Sequence, residues 1–118
     1  MIAREWKCLC PTRHREEFLK HLARTGVREA HGTPGYLGHQ VQERICNTCP
    51  AGHSGSVEIG LITYWQDWEA VRVFAGDQVE TAVLYPGDER YEIVPDKHVR
   101  HYEVLDMNIP GNSEEDSW

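Results

Sequence analysis

The chain has 118 residues, a formal net charge of −7 and four cysteines. That length suits one domain, with a core large enough to need no disulfide staples. The acidic balance argues against a nucleic-acid backbone as main partner, and no run of roughly 18 or more apolar residues offers a membrane span.

The start, MIAREWKC, lacks the apolar core of a signal peptide, so the expected location is the cytoplasm, with the cysteines reduced. Ile2 to Cys10 reads as a strand with Arg4, Trp6, Cys8 and Cys10 on one face and Ala3, Glu5, Lys7 and Leu9 on the other. Thr12 is a suitable helix cap. Leu19, Leu22, Ala23, Gly26, Val27 and Ala30 then form an amphipathic stripe with Phe18 beside it. His14 and His21 fall off that stripe and are expected in solvent.

Gly32-Thr33-Pro34-Gly35 breaks the chain before a second strand, Tyr36 to Ile45. Its expected faces are Leu37, His39, Val41, Glu43 and Ile45 against Tyr36, Gly38, Gln40, Gln42 and Arg44. Cys46 to Gly55 is a long hairpin connection. Val57 to Trp65 follows as a strand apolar on both faces, expected to be buried on both. Asp67 caps a helix whose stripe is Trp68, Val71, Phe74 and Ala75, and Gly76 fits just past its end. Asp77 is a suitable cap for a short helix through Tyr85, stopped by Pro86-Gly87, and His98 to Met107 reads as the last strand. The domain thus covers residues 1–106, and residues 107–118 form an acidic, flexible tail.

The order β-α-β-β-α-β implies an α+β, ferredoxin-like fold: an antiparallel sheet in the order 4-1-3-2 with both helices on one face. The other face, with Gln40, Gln42 and Tyr64, is too apolar in sum to be left wet. A homodimer with two sheets face to face would cover it.

Three stretches resemble a known family: Ala-Arg-x-Trp at Ala3–Trp6, Thr-Pro-Gly-Tyr-Leu-Gly at Thr33–Gly38, and the run from Thr63 to Gly76. Val99 to Val104 is also similar. The chain resembles the dimeric α+β barrel proteins of the antibiotic biosynthesis monooxygenase (ABM) superfamily. The resemblance implies a cavity between helices and sheet, walled by a tryptophan matching Trp65, and a small-molecule ligand. It implies a cofactor-independent monooxygenase acting on an aromatic or polyketide-like substrate. The haem-degrading branch needs a histidine after the third strand, and Asp77 to Tyr85 has none, which argues against haem. The asparagine of the oxygenase branch also has no clear equivalent, Leu61 being nearest.

Such an oxygenase takes a proton from a phenol or enol and stabilises the anion that then reduces oxygen. The residues available are Trp65, His101, Arg4 and Tyr85, with Tyr102 and His39 as further candidates; a histidine has the pKa for a base. The alternative places for them are structural: Trp65 and Tyr85 in the core, and His101 at a dimer interface or sheet edge.

Cys46-x2-Cys49-x3-His53 has ligand spacing for a tetrahedral ion, and an antiparallel first and third strand would bring Cys8 and Cys10 to the same end. A structural zinc site, ordinary reduced cysteines and a redox pair are the three readings. Two other functions stay open: a non-catalytic ligand-binding or stress-response barrel, and a zinc-stabilised structural dimer.

Overall fold

A computed structural model describes residues 1–45 and 55–110. Strands β1 (Ile2–Pro11), β2 (Tyr36–Ile45), β3 (Ser56–Trp65), β4 (Val94–Pro95) and β5 (Arg100–Glu103) form one antiparallel sheet. β2 lies at one edge, β3 and β1 are central, and β4 and β5 share the far side of β1. Helices α1 (Arg15–Leu22), α2 (Arg28–His31) and α3 (Trp68–Ala75) cover one face. A single π-helical turn, Ala23–Val27, joins α1 to α2. This is the expected α+β, ferredoxin-like arrangement.

The β3–α3 corner follows its local chemistry. Asp67 accepts the Ala70 backbone N–H at 3.0 Å, and Gly76 ends the helix at φ 86°. β1 turns Ile2, Arg4, Cys8 and Cys10 inward, all buried, and β3 does the same with Val57, Ile59, Leu61, Thr63 and Trp65.

Five expectations change. Tyr36 joins the helix-covered face, because a bulge between Tyr36 and Gly38 adds one residue and flips everything before it. β3 is closed on one face only: Glu58, Ile62 and Tyr64 stay half-buried, since one chain carries no second layer there. The buried stripe of the first helix runs through Phe18, His21, Leu22, Gly26 and Ala30, leaving Ala23 exposed, so His21 is inside.

Asp77 to Tyr85 is not helical. Thr81 bridges His98, and Ala82 and Val99 exchange backbone bonds with Lys97 and Glu80, each at 2.9 Å. The alternating β-branched residues Val79, Thr81 and Val83 favour this extended path. The last strand pairs with β1 over Arg100–Glu103, and Val104 N–H donates to the Met1 carbonyl at 3.0 Å. His98 and Val99 pair instead with the Glu80–Ala82 segment, and nothing described beyond Val104 is a strand, so the expected strand to Met107 ends short.

Candidate active site

The buried core is two clusters. One holds Cys8, Phe18, Leu22, Ile59 and Leu61; the other holds Ile2, Ala30, Trp65, Ala70 and Val71. Between them a polar row crosses the sheet, His39–Thr63–Arg4–His101, each residue directly opposite the next. A cavity opens at this seam, between α1, the π-helical turn and the sheet. It measures about 490 Å³ counting its open mouth. Its polar lining is Arg4, Thr25, Thr63, Tyr85 and Asp88, and Trp6, Phe18, Leu22, Leu61 and Phe74 supply much of the apolar wall.

Arg4 is 4% exposed. Its Nη1 donates to the Val79 carbonyl at 2.6 Å and its Nη2 to the Thr81 carbonyl at 3.1 Å. The guanidinium carbon lies 5.7 Å from the centre of the Phe74 ring. Among the described residues no carboxylate pairs with it. Burial lowers its pKa to about 10, partly offset by Tyr85, so it stays charged at neutral pH. Among the described residues this buried cation is held by neutral groups alone.

His101 stands 3.0 Å from Arg4 Nη1 through its Nε2. An arginine can only donate, so this nitrogen accepts and carries no proton. Burial first, and the neighbouring Arg4 second, push the imidazole pKa below its ordinary value. The ring packs against Trp68 with centroids 5.0 Å apart. His101 therefore lies on the helix-covered face, beside Arg4, and does not line the cavity.

Tyr85 lines the cavity, and its buried hydroxyl has no hydrogen-bond partner; the same is true of Trp6 Nε1. Burial raises the phenol to about 12, so it is a donor at neutral pH. A tight turn sets its place: Asp88 N–H donates to the Tyr85 carbonyl at 3.1 Å, with Gly87 at φ 97°, the left-handed position of a type II turn after Pro86. Asp88 Oδ2 accepts the Tyr85 N–H at 2.9 Å, and Asp88 Oδ1 lies 2.6 Å from His21 Nε2. The His21 ring is packed against Tyr91 and Phe18.

The fold thus places Arg4 and Tyr85 at the cavity, with His101 beside Arg4 outside its lining. Trp65 stands apart: it is fully buried, its indole N–H donates to Thr63 Oγ1 at 2.8 Å, and only its neighbours Thr63 and Phe74 reach the cavity. This is the core position rather than the cavity wall. His39 is exposed and bonded to Tyr36 at 2.7 Å, and Tyr102 is exposed.

Cys8 and Cys10 are core residues among Phe18, Leu22 and Ile59. Burial raises the Cys8 thiol far above its usual range and Cys10 to about 11, so both are protonated thiols in this structure. Cys46, Cys49 and His53 lie outside the described residues. Among the described residues no three histidine, cysteine or acidic side chains converge as a metal site. His21, Asp88, Thr63 and Gly26 are the site residues that sequence reasoning missed. Pro86-Gly87-Asp88 was a visible turn signal, but its partner His21 is 67 residues away.

Among solved structures, the chain is similar to an arginine-to-serine mutant of MhuD holding two manganese protoporphyrin IX molecules per active site. The two are 17% identical with a TM-score of 0.56, over 94% of this chain and 100% of that one. It is also similar to a candidate antibiotic biosynthesis monooxygenase from Deinococcus radiodurans, at 16% identity and TM-score 0.54, with the same coverage. The chain has the ABM fold. No protein-family model and no curated protein matches it. Among the described residues the cavity lining offers Tyr85 but no histidine, cysteine or methionine. No helix among the described residues is long and apolar enough to cross a membrane.

Proposed function

We propose that the protein is a cytoplasmic, homodimeric, cofactor-independent monooxygenase acting on an aromatic, polyketide-like small molecule. The observation that carries this reading is Arg4: a buried guanidinium without an anion, at the wall of a largely apolar cavity. A phenolate or enolate supplies the missing anion and the flat apolar body. The Tyr85 hydroxyl, with no partner of its own, donates to the same oxygen.

Asp88 is the one acidic side chain in the described lining, and it takes the proton. His21 holds its orientation. His101 positions Arg4 and is not the base, since it does not line the cavity. The anion gives an electron to oxygen, the radical pair joins as a carbon–peroxide bond, and loss of water leaves a carbonyl. The balance is one O₂ consumed, one oxygen atom in the product and one in water.

Oxygen uptake with an anthrone, in the presence of a chelator, tests this. Wild type should consume oxygen above the uncatalysed rate. Arg4→Met should lose most of that, about 100-fold, the usual cost of one anion-stabilising donor. Binding without uptake would favour the non-catalytic barrel.

The dimer is supported by what one chain leaves bare. β2 is an edge strand whose helix-side residues Val41 and Ile45 are 43% and 72% exposed, and Leu37 in its bulge is 54% exposed. Leu105 and Ile109 are also exposed. A second copy is the simplest cover for such an edge.

A further inference from the structure

We infer that Gly26 sets the size of ligand that the cavity admits. This rests on the reading of the cavity as a ligand site. Gly26 is buried within the helical rod, where glycine is less favourable than alanine. Neither usual reason for such a glycine applies. It is not among the residues with positive φ. A Cβ built on it would stand 3.5 Å from Leu61 Cδ2 and 3.7 Å from both Leu22 Cδ1 and Tyr85 Cε2, all ordinary contact distances.

Those three side chains belong to the sheet, the helix and the Tyr85 segment, and all three line the cavity. An alanine methyl would therefore touch three walls at once and take up the space between them. The glycine keeps that space open at the expense of helix stability.

A second feature lies at the same wall. The helical rod widens to one π-helical turn at Ala23–Val27, a defect of the kind found at functional sites. Thr25 Oγ1 donates to the His21 carbonyl at 2.9 Å, giving that carbonyl a side-chain partner at the junction. Thr25 and Gly26 then both face the cavity.

The test uses two acids that carry the same carboxyl and phenol groups on one ring or two: salicylate and 1-hydroxy-2-naphthoate. Isothermal titration of wild type and Gly26→Ala reads the affinities, with melting temperatures alongside. Wild type should bind both. Gly26→Ala should hold salicylate within about twofold and lose the naphthoate about tenfold or more, the lower end of what one methylene does in an apolar pocket. Its melting temperature should not fall.

Should Gly26→Ala be destabilised, the double variant Gly26→Ala/Leu22→Ala, which returns volume to the same wall, should recover the naphthoate. Equal binding of both acids by Gly26→Ala, equal loss of both, or no recovery in the double variant overturns the inference. If wild type binds neither acid, the ligand-site reading falls and takes this inference with it.

Discussion

At Arg4 a full charge sits in the core, held by two carbonyls, a phenyl face and one neutral imidazole. The imidazole must stay neutral, because a proton on His101 would set a second cation 3.0 Å from the first. Its folded-state pKa is lowered, by burial and then by Arg4, so the unfolded chain binds the proton more readily. Stability therefore rises with pH through the histidine range and falls as pH drops below about 6.5. Melting temperature measured between pH 7.5 and 5 should decline less steeply in His101→Gln than in wild type. Parallel curves would remove His101 from this role. The inward face of Arg4 was legible from simple alternation along β1. Its pairing with His101 was not, because one residue of register changes every cross-strand partner.

At the scale of elements, the cavity wall is held by one turn and one helix. Asp88 closes the Tyr85-Pro86-Gly87-Asp88 turn and ties it to His21. Asp88→Ala leaves the Tyr85 N–H and the His21 imidazole without an acceptor and should cost about 1–3 kcal/mol in urea denaturation. Asp88→Asn, which keeps an acceptor oxygen, should cost less; the reverse order would show the carboxylate to be unimportant. The β3–α3 corner was readable because its strand, cap, stripe and terminal glycine are all local. His21 was misplaced, since a helical wheel cannot show that Asp88 folds back over it. Asp77 to Tyr85 was misread as a helix for a similar reason: its extended form is fixed by pairing of Glu80, Thr81 and Ala82 with Val99, His98 and Lys97 and by Arg4 taking the Val79 and Thr81 carbonyls.

At the scale of the whole molecule, element order and the resemblance fixed the architecture before any coordinates. The single chain leaves the β2 edge and the side chains of Leu105 and Ile109 uncovered. Sedimentation at micromolar concentration should give a dimer, and Val41→Lys/Ile45→Lys should shift it to monomer; an unshifted dimer would place the interface elsewhere. The proposed function requires Arg4 to bind the oxyanion of the ligand. Its most direct test is titration of 1-hydroxy-2-naphthoate and its neutral amide into wild type and Arg4→Met. The acid should bind wild type at least about tenfold more tightly than the amide, as hydrogen bonds to a charged group imply, and Arg4→Met should erase that preference. Equal affinities for acid and amide in wild type, or a preference that survives Arg4→Met, would contradict the account.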